Sequence, residues 1–395
     1  MRRSRLAALA LCATALILAS RLFPVPSLVD AATGAPFSAH LEFPLSHLAL
    51  TPLASFADVI TCNAARQDIA LVVLLLLGFG VFRFFILGQG PKHWFDGHDI
   101  LIAAAFYVPL AVGYLAWAVL WPHAPPRFVA DSPDDLPVDF HSHSRLSWDG
   151  RRTFTPERNA AWHQEAGFGV SFLTDHNVFE TDRSNGEEVS LHDAHIVVVG
   201  NSKFADRKNY ADTEAGVETF LSETRKTGNG VTILSLPEYW EHYWGEPLER
   251  LASSGPEGIE IFTSSPKAME FPAAKRALAV DVAKRHGLFL AGATDNHGYG
   301  SCACVWNIVR LPDWRLLDQS KRQAAVLGVL KGGFDSVRVV ARSRVEAARG
   351  DAVAFDGLRA LWLMIRLWSP TQCLIALAWF WGLVFVRLPA RRGGK

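Results

Sequence analysis

Five cysteines in 395 residues, at Cys12, Cys62, Cys302, Cys304 and Cys373, are too few and too scattered for a disulfide framework. They also lack the paired Cys-x-x-Cys of a zinc knuckle, so a metal site in this chain must be built from histidine and carboxylates. Net charge is absent too. The 39 Lys and Arg balance 39 Asp and Glu, which argues against a nucleic-acid coat or another polyanion-binding role. Charge of either sign is sparse, at 20% of residues against roughly 25% in an ordinary soluble domain. Half of the residues are hydrophobic and the mean hydropathy is +0.14, so disorder is excluded and a wholly soluble chain is not expected. No internal repeat or low-complexity stretch is visible.

The surplus of apolar residues is concentrated in four windows. Residues 100–121 run for 22 positions without a formal charge, and roughly 20 are enough to cross a bilayer. Ile69 to Phe82 continues as Phe84 to Gly88 beyond Arg83, whose side chain must snorkel. Leu367 to Val386 is charge-free and rich in Trp and Phe, which favour the membrane interface. The first window, Leu6 to Ser20 behind a basic start, also has the shape of a signal peptide, but no small-x-small cleavage site follows and a retained anchor is favoured. The basic clusters at both termini and at Arg83 with Lys92 should face the cytoplasm. That places everything from Pro122 to about Arg366 outside it, in a multi-pass protein of the cell (inner) membrane; Arg359 and Arg366 sit on the wrong side for this rule. The chain then divides into an anchor or signal at 1–21, an extracytoplasmic loop at 22–67, two transmembrane helices in 68–121 and a linker at 122–135. A soluble domain follows at 136–345, then a linker at 346–366, a transmembrane helix at 367–387 and a basic cytoplasmic tail at 388–395.

Within the soluble segment, short apolar runs alternate with amphipathic stretches, the rhythm of βα units. The runs are VDFH, GVSFLT, HIVVVG, VTILSL, GIEIF, GLFLAG, VWNIV and SVRVV, continuous as in parallel strands covered on both faces. Thr155-Pro156 with Gly167, and Pro272 with Gly287, bracket two of the helices. Seven or eight such units predict an α/β fold, a barrel or a distorted barrel flanked by transmembrane helices, with its chemistry at the C-terminal strand ends.

Nine of the 14 histidines fall between 141 and 297, mostly at those strand ends and beside carboxylates. His141 and His143, two apart on an extended segment, project from one face. Asp175 and His176 follow the second strand, His195 opens the third, and Asp295 and His297 follow the sixth. Unpartnered buried acids and imidazoles cost several kcal/mol, so such clustering asks for cations, and mixed His and carboxylate donors suit Zn, Mn or Fe. His163, on the helix after Pro156, is expected to face solvent, as are His192 and His286. Cys302 and Cys304 are expected to be core sulfurs near the mouth.

Residues 136–340 resemble the PHP (polymerase and histidinol phosphatase) family of metal-dependent phosphoesterases. DFHSHSRLSWDG is similar to the first family motif, with His141, His143 and an acidic ligand at Asp149. TPERNAAWHQEAGFGVSFLTDHN carries His176, GEEVSLHDAHIVVVG the bridging Glu188 and then His195, and HGLFLAGATDNHG the last pair, Asp295 and His297. The resemblance implies a distorted (β/α)7 barrel, up to three divalent ions and hydrolysis of a phosphate ester by metal-activated hydroxide, with no side-chain nucleophile. His141, His143, Glu188 and Asp295 would hold one ion, and Asp149, His176 and His297 another. The third is in doubt because Leu236 stands where the family has a histidine; Glu238 or His242 could substitute, although a capping role for Glu238 is the blander reading. Asp175 and Glu260 are candidates for the layer behind the ligands. Arg145, Arg151 and Arg152 could grip phosphate oxygens or form a solvated turn. The expected partners are the lipid bilayer and a phosphorylated small molecule or lipid-linked phosphate. The alternative is a non-catalytic membrane protein binding metal or anion at a degenerate site.

Overall fold

An apolar run between two turn signals becomes a strand here whenever both of its faces are covered, and this accounts for most of the soluble domain. The structure, a computed structural model, describes residues 2–61, 68–87, 89, 95–121, 123–180, 185–235, 248–264, 273–300, 303–346 and 350–385. Its strands are β1 (Leu28–Asp30), β2 (Ala39–Glu42), β3 (Arg127–Ala130), β4 (Asp135–Asp139), β5 (Val170–Ser171) and β6 (Gly186–Leu191). They continue with β7 (Ala194–Val199), β8 (Val231–Ser235), β9 (Gly258–Thr263), β10 (Phe289–Ala293), β11 (Val305–Arg310) and β12 (Arg338–Arg342). One sheet has the order β1-β12-β11-β4-β5, a second β10-β9-β8-β7-β6, and β2 pairs with β3 alone.

The fold is mixed α/β, but among the described residues the ladders do not close into the expected seven-stranded barrel. Nor are the strands uniformly parallel. β4–β5, β8–β9 and β9–β10 run parallel, whereas β6–β7, β7–β8, β11–β4 and β11–β12 run antiparallel. The β6–β7 connection explains part of this. It consists of His192 and Asp193, both at positive φ (49° and 58°), a two-residue hairpin turn far too short for a parallel crossover.

Side chains stitch the two sheets at both seams. At the first, Asn307 Nδ2 donates to Val138 O (3.0 Å) and Gly292 O (2.7 Å), while its Oδ1 accepts Gly292 N at 2.6 Å. At the second, Asn185 Oδ1 accepts Leu173 N and its Nδ2 donates to Ser171 O. Leu136, Val138, Phe140, Val170, Phe172, Val197, Ile233 and Phe289, drawn from both sheets, fill the space between. Helices cover the outside; Val217, Phe220 and Leu221 of Glu214–Thr227 pack on the outer side chains of the second sheet. Thr155 caps the helix Pro156–Glu165 by accepting Arg158 N, and Gly167 (φ +92°) ends the turn where a Cβ would come within 2.4 Å of Phe128 O.

Three segments read as loop or linker carry structure. Residues 22–61 supply β1, which pairs with β12, and β2, which pairs with β3 inside the supposed 122–135 linker. The 346–366 segment contains most of the helix Asp356–Leu367. These strands are three or four residues long, below the length at which alternation can be read.

Two helices, Ser4–Arg21 and Gly97–Leu120, are long and apolar enough to cross a membrane, and Ala70–Ile86 is a shorter apolar helix. The C-terminal window is a 16-residue helix, Pro370–Phe385, set at 115° to the preceding one. The basic tail lies outside the described residues, as do Lys92, Cys62, Cys302, Leu236, Glu238 and His242.

Candidate metal centre

Past the end of β4 the chain stays extended, so Asp139, His141 and His143 keep to one face. All three are buried. His141 Nε2 and His143 Nε2 stand 3.0 Å apart, and Glu188 Oε2, from β6 in the other sheet, approaches them at 3.2 and 3.3 Å. Asp295 Oδ1, beyond β10, lies 3.1 Å from His143 Nε2 and 3.6 Å from His141 Nε2. His176 Nδ1 is 2.9 Å from Glu188 Oε2, and His195 Nδ1, on β7, is 2.7 Å from Glu188 Oε1. Asp149 Oδ2 closes the far side, 3.5 Å from His176 Nε2 and 3.2 Å from His297 Nε2.

Three overlapping donor groups result: His141, His143 and Glu188; His143, His176 and His297; and His176, Glu188 and His195. The eight residues expected as ligands therefore converge, from five separate stretches of chain. His143 and Glu188 each belong to two groups, and so does His176.

Behind the donors sits a layer that fixes each ring. Glu260 Oε1 lies 2.7 Å from His141 Nδ1, and Glu260 Oε2 accepts Ser235 Oγ at 2.9 Å. His143 Nδ1 faces Ser147 Oγ at 2.9 Å, and that hydroxyl donates to Asp175 Oδ1. Asp175 also accepts Ser144 N, Ser144 Oγ and Ser147 N, tying down the whole 144–147 turn. His297 Nδ1 donates to Asp295 O at 2.8 Å. With the Nδ1 protons so engaged, the Nε2 lone pairs of His141, His143 and His297 are directed inward.

The electrostatics suit cations. Burial and then the neighbouring His297 push His143 down to about 3. Burial also opposes a charge on His176 and His297, yet Glu188 and Asp149 hold His176 at about 10, and Asp295 and Asp149 hold His297 at about 9. Burial would raise Glu188, but His141 and His176 keep it well below the carboxylate range. Without metal, then, protons occupy positions where positive charge is wanted. The buried atoms Glu188 Oε2, Asp149 Oδ1 and His297 Nε2 have no hydrogen-bond partner, a cost of roughly 1–3 kcal/mol each that a coordinated ion removes. Donors of this kind fit Zn, Mn or Fe.

Compared with models of known protein families, the chain matches none, and no curated protein matches it in sequence.

The expected phosphate-gripping arginines are distributed differently. Arg145 and Arg152 are exposed, while the Arg151 guanidinium bonds the carbonyls of Leu120 and Gly298. His163 corrects the expectation of a solvated side chain: it is 1% exposed, with Nε2 2.7 Å from Asp139 Oδ2 and Nδ1 bonded to Asn159 O. Asp139 went unremarked in the sequence although its alternation with His141 and His143 marks it; it also accepts Thr294 N and Thr294 Oγ1, fixing the turn before Asp295. Ser147 and Ser235 carry no sequence signal. Cys304 is buried, as expected of a core sulfur, with Sγ against Ser264 Oγ.

Proposed function

We propose that this protein is a membrane-anchored, metal-dependent phosphoesterase of the PHP type, its two sheets forming a distorted barrel whose domain faces outside the cytoplasm. The observation that carries the reading is the convergence of three overlapping donor groups, two of them sharing Glu188, with buried polar atoms left without hydrogen bonds. His141, His143, Glu188 and Asp295 would hold one ion, His176 and His297 with Asp149 and the shared His143 a second, and Glu188 with His195 part of a third.

Bound divalent ions would lower the pKa of coordinated water towards neutrality and neutralise charge on phosphoryl oxygens. The chain's own residues do the positioning. Glu260, Ser147 and the Asp295 carbonyl each hold an Nδ1 proton so that the ring cannot turn, and Asp175 braces Ser147. Asp149, half-exposed at the rim, is the acid nearest solvent.

The membrane reading rests on helix ends. The Arg21 guanidinium, closing the first helix, donates to Ile365 O, Arg366 O and Trp368 O, and Ser343 at the foot of β12 donates to Ser27 O. Arg5, at the opposite end of the first helix, donates to Phe84 O. Four apolar segments crossing in alternating directions satisfy both contacts.

His141→Ala and Asp295→Ala are expected to lose bound metal together with turnover of p-nitrophenyl phosphate and bis(p-nitrophenyl) phosphate. Unchanged turnover in either variant refutes the reading. Leu236→His is expected to raise the metal stoichiometry.

A further inference from the structure

We propose that the centre acts on phosphate esters of membrane lipids while these remain in the bilayer; this rests on the phosphoesterase reading and adds the substrate class. The argument begins at the end of an apolar helix. Gly97–Leu120 buries only Ala103 and Ala118, leaving Phe106, Leu110, Val112 and Leu120 exposed. At 1.5 Å per residue its 24 residues extend about 36 Å, some 6 Å more than a hydrocarbon core of about 30 Å. Its last turn therefore reaches the level of lipid phosphates.

That last turn is fastened to the ligand-bearing loops. A helix end leaves four carbonyls without intrahelical partners. Here Val119 O accepts Gly300 N at 2.6 Å, and Leu120 O accepts the Arg151 guanidinium. Arg151 in turn donates its backbone N–H to the carbonyl of His297 at 3.0 Å. The approach is so close that a Cβ on Gly300 would lie 2.1 Å from Ala118 O. Two hydrogen bonds thus separate the end of the helix from a metal-ligand backbone.

The rim is dressed for the same surroundings. Trp148, immediately before Asp149, is 85% exposed with its ring 6.1 Å from that of His176. Trp121 ends the helix at 61% exposure, and Tyr299 stands between His297 and Gly300 at 44%. Exposed aromatics at this depth belong to the interfacial belt. A mouth at phosphate level, ringed by Trp and Tyr, meets a lipid headgroup before it meets a solute. In the reaction, water's oxygen joins phosphorus, the bond from phosphorus to an ester oxygen breaks, and water's proton goes to the departing alcohol; no further reactant is consumed.

Two measurements on the full-length protein in liposomes test this. First, with Mn2+ present, dioleoyl phosphatidic acid and dioleoyl phosphatidylglycerol are supplied either in the protein's own vesicles or in separate ones, with p-nitrophenyl phosphate and bis(p-nitrophenyl) phosphate as soluble probes. Hydrolysis of a lipid in the shared bilayer at least tenfold faster than in separate vesicles is expected. Soluble turnover without lipid turnover overturns the inference and leaves the phosphoesterase reading standing; no turnover of any probe overturns both. Second, in a background with serine for the native cysteines, spin labels at Trp148→Cys and at Lys226→Cys, on the opposite end of the domain, report depth without any metal. The label at 148 is expected to be shielded from an aqueous nickel reagent and open to oxygen. Equal nickel access at 148 and 226 overturns the inference.

Discussion

Glu260 offers the most exacting test of how the ligands are held. Its carboxylate is 2% exposed and touches no candidate ion position; it acts through His141, whose Nδ1 lies 2.7 Å from Oε1, while Oε2 accepts Ser235 Oγ. Glu260→Gln keeps the volume and an acceptor oxygen but removes the charge that makes the imidazole a better donor. Removing such partners of metal-bound histidine typically weakens metal binding 10–100-fold. The conservative change belongs at the low end, about 1.4 kcal/mol, and Glu260→Ala at the high end, about 2.7 kcal/mol. The alanine variant also leaves the buried Ser235 hydroxyl without its acceptor and the His141 N–H with only the longer 3.3 Å contact to Ser235 Oγ, so the metal-free protein should lose on the order of 1–3 kcal/mol as well. Competition with a chromogenic chelator reads the affinity, and thermal unfolding in detergent reads the stability. Wild-type affinity in Glu260→Ala would refute the idea that Glu260 sets the His141 tautomer, since among the described residues no other carboxylate lies against Nδ1 to take its place.

Glu188→Gln alters a group shared by two of the three donor sets, so metal content by mass spectrometry should fall by more than one ion, whereas His195→Ala should remove at most one. His176 at about 10 and His297 at about 9 are protonated in the metal-free protein at pH 7.5, and against its burial Glu188 and Glu260 hold His141 well above its ordinary value, so ion binding should expel roughly three protons, measurable by calorimetry in buffers of different ionisation heat. Both values lie above the unfolded value of about 6.5, so their stabilisation of the metal-free protein is complete below that pH and lost as pH rises through 9–10; a melting temperature that did not fall there would contradict it. Asn307→Ala strands Val138 O and both peptide groups of Gly292 at the first seam, and a loss of about 2–4 kcal/mol in thermal unfolding is expected.

How much of this could be read beforehand follows from how local each signal is. The pair His141 and His143 was legible because a period of two is a property of a few adjacent residues, and strand ends were legible because apolar runs stop abruptly there. His163 misled because the inner face of its helix, Asn159, Trp162 and His163, is largely polar, so hydrophobic periodicity points to the wrong side. Its partner Asp139 is 24 residues away, and nothing local announces it. The β6–β7 hairpin was missed for a similar reason: His192 and Asp193 adopt positive φ without the glycine that usually marks such a turn. The closure of the barrel was over-read because strand count says nothing about whether the last ladder forms, and here both seams are closed by side chains and isolated bridges.

Those seams are where the candidate centre lies, and this links metal to fold. His141, His143 and His176 extend from the sheet containing β4 and β5, while Glu188, His195, Asp295 and His297 extend from the other. Among the described residues the backbone joins the sheets beside them through scattered single bonds: Asp295 N to His141 O, His143 N to Asn296 O and Arg151 N to His297 O at one seam, Glu188 N to Asp175 O and Asn177 N to Glu188 O at the other. An ion coordinated from both sheets would act as a cross-link at these places, whereas the β8–β9 ladder inside the second sheet would gain nothing directly. Stripping the metal with a chelator should therefore speed hydrogen exchange at Glu188, Asn177, His143 and Asp295 by at least tenfold and leave Leu234 and Ile259 within about twofold, since local opening free energies differ across a structure. A uniform acceleration would mean that the metal stabilises the domain only globally, and the account of the centre as a clasp between two open sheets would fail.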